Sequence, residues 1–381
     1  MLNFQFSEEQ KMLQETARRF SRERILPVVA ECDRTGKFPM DLYKEAFELG
    51  LLVPEIPEPY GGAGLGVLEN CLIIEEFDWA CSGIGTSLSA ASLCAAPIIL
   101  GGSEDQKTKW LGALAKDGVI GAYATTEPGA GSDVAGLECK ATRHGDDWVL
   151  SGTKCFITNG TFADFVVVFA TADKTKRHKG IMAFIVPTNL DGFRKGKKEE
   201  KLGQRASDTI AIYLDDVKVG KEHVLAGEGD GFKLAMMTFD RTRPWIGAGA
   251  VGVMRRALDE CRAYANERKT FGVPIGQHQM VQWMLAEMAI RIEASRLLTL
   301  KAAWQVDHGD PSSIVSSYAK AYAADAAMKT TTDAVQVFGG NGYMKEYPVE
   351  KLMRDAKIFQ IYEGTSQIQR MVIARRVLSG A

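Results

Sequence analysis

The sequence predicts an α+β chain in three parts: an N-terminal helical domain, a middle antiparallel β domain and a C-terminal four-helix bundle. Three observations predict it. Helical periodicity runs from residue 7 to about 116, short β-branched and aromatic runs broken by turns fill 118 to 219, and four long helical segments follow Gly231. The boundaries drawn from these changes are 1–117, 118–230 and 231–381. A chain of 381 residues is too long for one ordinary core, so several domains are expected on size alone.

At the N-terminus, Ser7-Glu8-Glu9-Gln10 has the pattern of a capping box before an amphipathic run. Pro39 opens the next helix and Gly50 closes it. The proline- and glycine-rich stretch from Val53 to Gly66 predicts a surface loop, after which Leu68–Ala80 and Lys107–Ala115 return to helix. The β region is expected to hold strands at Val119–Tyr123, Trp148–Leu150, Phe165–Phe169, Ile181–Val186 and Thr209–Leu214. Between them, the charge run from Lys195 to Lys201 reads as a solvated loop. Helices are then expected near 231–268, 277–307, 312–338 and 364–378, with no internal repeat and no low-complexity segment.

Apolar residues make up 46% and charged residues 25%, a globular composition able to bury a large core. A net charge of -2 supplies no field for nucleic acid or anionic lipid, so an anionic ligand has to be met by local cations. The seven cysteines, at 32, 71, 81, 94, 139, 155 and 261, show no metal-ligand or redox spacing and read as reduced thiols of a cytosol-like compartment. Met1 to Phe6 lacks the plan of a signal peptide, and no uninterrupted apolar stretch approaches the roughly 20 residues of a spanning helix. A cytoplasmic protein without membrane insertion is expected. The histidines at 144, 178, 223, 278 and 308 never fall at i, i+4, which gives a metal site no support.

Gly247-Ala248-Gly249-Ala250-Val251-Gly252 matches G-x-G-x-x-G, but no strand precedes it and helical sequence flanks it, so it reads as a close helix–helix contact. Other stretches are more open. Tyr123 to Asp133 leaves a strand for a loop of hydroxyls and glycines, either a plain turn or a cradle for a planar ring or phosphate. Cys155 to Gly160 is core plus turn, or an aromatic cover with Thr158 as donor. Arg268-Lys269-Thr270-Phe271-Gly272 suits a helix C-cap or a pyrophosphate, and Phe338 to Gly342 reads as a Schellman-type stop unless a ligand lies on it. In Ile361 to Gln367, Glu363 lies among apolar and aromatic residues; it is a surface group or cap, or, in a dry cleft, a base of raised pKa.

Taken in order, Tyr123–Asp133, Phe156-Ile157-Thr158, Asp240-Arg241-Thr242-Arg243-Pro244, Glu267–Gly272, Gln336–Gly342 and Tyr347–Arg370 resemble the acyl-CoA dehydrogenase family over essentially the whole chain, most closely its medium- and short-chain members. The resemblance implies a homotetramer, a dimer of dimers, that binds FAD between domains. Tyr123, Thr125, Thr126, Ser132, Phe156, Ile157 and Thr158 would contact the flavin. Relatives often carry tryptophan where Phe156 stands, a departure that would loosen the ring's cover and alter its potential. Arg268, Phe271 and Gln279 would reach the FAD of a neighbouring subunit, and Gln336, Gly339, Gly340, Thr365 and Gln367 would line its remaining pocket. Ser132, Phe239, Asp240 and Arg243 would hold the CoA part of an acyl-CoA substrate, with Tyr362 and Gly364 beside the reacting carbons.

The same resemblance implies oxidation of the thioester to a 2-enoyl-CoA, with Glu363 taking the α proton as the β hydrogen leaves as hydride to flavin N5. An α C–H is a poor acid until its thioester oxygen is hydrogen-bonded, which the family achieves with the backbone N–H at the Glu363 position and a ribityl hydroxyl. Some relatives carry the base at the position of Thr242, which cannot serve. Relatives acting on dicarboxylic chains carry arginine near Ser87 and Leu88, so a glutaryl-type substrate is disfavoured, and small residues over 82–92 leave room for a medium, branched or cyclic acyl chain. Electrons would pass to an electron-transfer flavoprotein. Two alternatives remain at this stage: an oxygen-reactive acyl-CoA oxidase, whose usual members are longer, and a flavin-binding paralogue without catalysis.

Overall fold

The computed structural model describes residues 5–309 and 312–379, so the reading of residues 1–4 lies outside it in part. The N-terminal part contains α1 (Glu8–Phe20), α2 (Val29–Thr35), α3 (Met40–Glu48), α4 (Val67–Gly101), α5 (Glu104–Gln106) and α6 (Gly112–Lys116). At the start of α1, Ser7 Oγ accepts from Gln10 N and Gln10 Oε1 accepts from Ser7 N, the reciprocal cap expected there.

Helix α4 corrects the expected end at Ala80. It has 35 residues, interrupted by extended backbone at Cys81 (φ -162°, ψ 109°). Its second half is buried on nearly every side, so no polar stripe marks it as a helix. It is also long and apolar enough to cross a membrane, yet 72% of its most apolar window is buried within the protein. The expected surface loop after α3 is corrected too: Leu51, Leu52, Val53 and Ile56 are core residues, and only the glycine-rich half beyond Glu58 faces outward.

The middle part is an eight-stranded sheet: β1 (Gly121–Ala124), β2 (Lys140–His144), β3 (Asp147–Thr158), β4 (Phe165–Thr171), β5 (Ile181–Pro187), β6 (Phe193–Lys198), β7 (Thr209–Val219) and β8 (Val224–Ala226). The order is β6-β7-β3-β2-β4-β5-β8, with β1 added on β4. The expectation of a purely antiparallel sheet is corrected by β1, which pairs in parallel with β4, as does β2 at Lys140 and Thr171. Strand β4 is buried on both faces, with Phe165, Val167 and Phe169 packed against the N-terminal helices and Val166, Val168 and Ala170 in the sheet's other core. Each such fully buried side chain contributes on the order of 1.5–3 kcal/mol.

The charge run at 195–201 is not a loop at its start, because β6 continues to Lys198. Its lysines donate to carbonyls: Lys195 to Thr161 O and Ala163 O, Lys198 to Gly36 O and Lys201 to Ser207 O. A register shift in β6 lies between Lys195 and Lys198, and the long stems let the ammonium groups reach loop backbone.

The C-terminal part holds α7 (Asp230–Glu267), a small hairpin of β9 (Lys269–Thr270) and β10 (Val273–Pro274), α8 (Gln279–Asp307), α9 (Ser313–Phe338), α10 (Val349–Ala356) and α11 (Ser366–Ser379). The four expected helices are α7, α8, α9 and α11, and α10 is additional. The glycine motif lies inside α7, where a Cβ on Gly252 would meet Glu75 O at 2.3 Å and one on Gly247 would meet Thr299 Oγ1 at 2.4 Å. Close packing of α7 on α4 and α8 is what those glycines permit. Gly339 ends α9 at φ 61°, ψ -138°, outside the left-handed helical region of a Schellman stop.

Candidate active site

Glu363 stands in the turn between a 3-10 segment at Lys357–Gln360 and α11, with left-handed backbone of φ 55°. Its half-buried carboxylate accepts from Thr242 Oγ1 at 2.9 Å. Burial pushes the Glu363 carboxyl above the usual range, against the opposing pull of Thr242, Arg243 and Lys320. The group that Thr242 cannot replace as a base is therefore the group that Thr242 orients.

Helix α7 brings Thr242 there with a proline beside it. Pro244 has no N–H, which removes the helical donor for Asp240 O; Ser316 Oγ of α9 supplies one at 2.8 Å. Asp240 accepts from Arg243 at 2.6 Å, and burial lowers the Arg243 pKa while raising that of Asp240. Phe239 meets the Tyr123 ring edge-on at 6.0 Å, which ties the start of α7 to β1.

The loop after β1 is pinned from behind. Lys154 of β3, fully buried, donates to Thr125 O at 3.0 Å and to Glu127 at 2.7 Å. Glu127 also accepts from Glu138 N and Cys139 N. Cys155 N donates to Thr126 O at 2.9 Å. This leaves Tyr123 OH and Thr125 Oγ1 buried without a hydrogen-bond partner, a costly arrangement for an empty protein and a suitable one for a polar ligand edge. A bulge in β3 between Lys154 and Ile157 turns Phe156 to φ 60° and leaves it 66% exposed. Thr158 is half-buried on the same strand, whereas the Ile157 side chain lies in the sheet core and only its backbone can reach a ligand. Ser132 is exposed, beside the Asp133–Arg177 ion pair.

Tyr123, Thr125, Phe239, Thr242, Arg243, Tyr362 and Glu363 thus converge at one site. A partly exposed face of α4 adjoins it, since Asn159 just after β3 donates to Ser87 O at 2.8 Å and Thr86, Ser89 and Leu93 fall three and four residues apart with partial exposure.

Arg268, Phe271, Gln279, Gln336, Gly339 and Gly340 form a separate, exposed group. Asn341 Nδ2 donates to Tyr264 OH at 2.8 Å and Tyr264 stacks on Phe338 at 4.1 Å, which joins the ends of α7 and α9. Along α7 this group lies roughly 25 residues beyond Arg243, about 37 Å at about 1.5 Å per residue. Thr365 and Gln367 begin α11, half-buried and exposed respectively.

Sequence reasoning missed Lys154, Lys320 and Gln369. Lys320 donates from Nζ to Gly364 O at 2.6 Å, and Gln369 Nε2 to Glu363 O at 3.1 Å and Gly364 O at 3.0 Å. A lone lysine in the alanine-rich run of α9 was the available signal for Lys320. Among the described residues no group of three or more His, Cys, Asp or Glu is placed to hold a metal ion.

Three family models match the chain: acyl-CoA dehydrogenase N-terminal domain over residues 7–117, middle domain over 122–217 and C-terminal domain over 229–378. A probable medium-chain specific acyl-CoA dehydrogenase 2, mitochondrial, of Caenorhabditis briggsae is 46% identical over 380 residues, covering 99% of this chain and 92% of that protein. Two solved structures each superpose with a TM-score of 0.97 at 42% identity, covering 99% of this chain and 100% of theirs. One is butyryl-CoA dehydrogenase from Megasphaera elsdenii. The other comes from work on the electron transferring flavoprotein of Acidaminococcus fermentans and flavin-based electron bifurcation.

Proposed function

The chain belongs to the acyl-CoA dehydrogenase family, and we propose that it oxidises an acyl-CoA thioester to the 2-enoyl-CoA with Glu363 as the base and an electron-transfer flavoprotein as acceptor. The observation that carries the assignment is the Glu363 carboxyl, desolvated and hydrogen-bonded to Thr242 at the convergence of α7, β1 and α11. A carboxylate in that setting has its proton affinity raised toward the working pH, which suits it to remove an α proton. The backbone N–H of Glu363, in the same strained turn, is the chain's donor to the thioester oxygen, where enolate charge develops.

Orphaned Tyr123 OH and Thr125 Oγ1, the exposed Phe156 ring and the hydroxyls of Thr126 and Thr158 fit a flavin. FAD bound there supplies the hydride acceptor for the β hydrogen. Ser132, Phe239, Asp240 and Arg243 hold the CoA moiety in this reading, and Tyr362 and Gly364 flank the reacting carbons. The distant group around Arg268, Phe271, Gln279, Gln336, Gly339 and Gly340, with Thr365 and Gln367, serves a cofactor shared with another copy, so the site is complete only in an oligomer, in this reading a homotetramer built as a dimer of dimers. Seven free, buried cysteines fit a reducing cytoplasm.

Anaerobic bleaching tests the assignment. The purified yellow protein, mixed with straight, branched and alicyclic acyl-CoAs, is expected to lose flavin absorbance with at least one of them, and Glu363→Gln to slow that step by roughly 10²–10⁴-fold. A wild-type protein that no thioester bleaches would overturn the proposal.

A further inference from the structure

The turn that carries Glu363 is held by two side chains whose contacts are to its backbone. Glu363 and Gly364 have φ of 55° and 84°, and a glutamate kept in left-handed backbone needs support from its surroundings. That support reaches the carbonyls. Gln369 of α11, fully buried, donates to both Glu363 O and Gly364 O, and its own Oε1 has no partner, so donation is its one polar contact on this side. Lys320 of α9, also fully buried, donates to Gly364 O at 2.6 Å from another helix. A Cβ on Gly364 would stand 2.6 Å from Gln369 Nε2, so the clamp closes only on glycine.

A carbonyl needs a donor but not a charge. A neutral amide would satisfy Gly364 O at a smaller desolvation cost than a buried ammonium. The charged groups that face Lys320 are Glu363 itself, Arg243 of α7, which is bound to Asp240, and Asp325 on its own helix, which is bound to Arg370. Asp240 and Asp325 each already have an arginine. Glu363 has only a hydroxyl.

We propose that Gln369 and Lys320 are positioning residues, with Gln369 fixing the backbone of the Glu363–Gly364 turn and the Lys320 ammonium holding the neighbouring carboxylate in its proton-accepting form. The proposal rests on Glu363 being the base. Burial pushes Glu363 up and Lys320 down to about 7, and the attraction between the two charges opposes both shifts, so each group's charge favours the charged form of the other. Removing the cation raises the proton affinity of Glu363, and removing the amide does not.

The test uses the flavin-loaded protein and acetoacetyl-CoA, a redox-inert thioester whose acidic α proton leaves to give an absorbing enolate. Enolate formation is followed against pH, alongside the pH profile of kcat/KM for an acyl-CoA that bleaches the protein. Lys320→Gln keeps a donor for Gly364 O without the charge. It is expected to move the enolate midpoint and the acid limb of kcat/KM up by about one pH unit, tenfold in proton affinity, with the high-pH plateau kept to within about threefold. Gln369→Leu is expected to lower kcat at every pH and leave the midpoint unmoved. Lys320→Met, closer in shape, is expected to give the same midpoint shift with a lower plateau, and serves if Lys320→Gln does not fold. A wild-type protein that ionises the probe while the Lys320 variants titrate identically overturns the role of the ammonium alone. A wild-type protein that does not ionise the probe overturns the assignment of Glu363, and the clamp with it.

Discussion

Glu363 carries a cost that its partners only partly offset. Its carboxyl is displaced upward by burial, so between the ordinary carboxylate range and its raised value the folded protein binds a proton that the unfolded chain has released. With a folded pKa above the unfolded one, stability contributed by this group is present at acid pH and declines as pH rises through that window. Glu363→Gln, which keeps the shape and an acceptor for Thr242, is therefore expected to melt like the parent at pH 4 and above it at pH 8, even as activity is lost. Thermal melts of both proteins across that range check the sign; a variant less stable at pH 8 contradicts it. From its neighbours alone Glu363 read as a surface group, a cap or a base, and the family resemblance singled it out. Its supports were not legible. Thr242 lies 121 residues away and Lys320 44 residues from the carbonyl it holds, so no spacing rule links them before the chain is folded.

Long helix-compatible segments bounded by turn residues were read at the right positions, and boundaries inside buried stretches were not. Helices α7, α8, α9 and α11 are set off by their length and by the glycines, histidine and proline between them, with a clear apolar period only in α7. The second half of α4 is surrounded by protein and carries no polar stripe, while β6 is an exposed edge strand whose charge resembles a loop, so polarity gave the wrong boundary in both. The same blindness covered Lys154, a lysine in the middle of a buried strand that looks like an exposed alternation position. Its ion pair with Glu127 joins β3 to the Thr125–Glu127 loop, with both side chains essentially out of water. Removing one partner of such a pair leaves the other charge buried, typically at about 3–5 kcal/mol. Lys154→Met should accordingly lower the melting temperature and release the flavin, since Thr125 loses its anchor. The double variant Lys154→Met/Glu127→Gln should recover a good part of the stability, because no unpaired charge remains, yet regain flavin affinity less completely. Calorimetry and flavin retention on gel filtration measure the two separately, and equal recovery of both would show that the pair contributes charge balance rather than loop placement.

At the scale of the whole molecule, the residues proposed to contact the cofactor fall into two separate groups on one chain. The Glu363 turn meets the first half of α7, while Arg268 follows its end, about 37 Å further along by helical rise. An exposed apolar stripe suggests how two copies of the chain could bring the groups together. On α8, Trp283, Ile290, Leu297 and Trp304 recur every seven residues and are between 43% and 60% exposed, and Phe271 just before that helix is 96% exposed. A seven-residue apolar repeat keeps one face toward a partner helix, and a contiguous exposed stripe of this kind is uncommon on a monomer. With net charge near zero there is no long-range repulsion to keep copies apart. Replacing Ile290 and Leu297 together with glutamate places charge in that seam while leaving the interior of the protomer untouched. Sedimentation velocity is expected to show smaller species than the parent forms. Flavin should be lost in parallel, because the Arg268–Phe271 segment of one copy then no longer reaches the cofactor of another. A variant that dissociates yet holds its flavin as tightly as the parent would mean that the second group serves some other ligand, and that each protomer completes its own cofactor site.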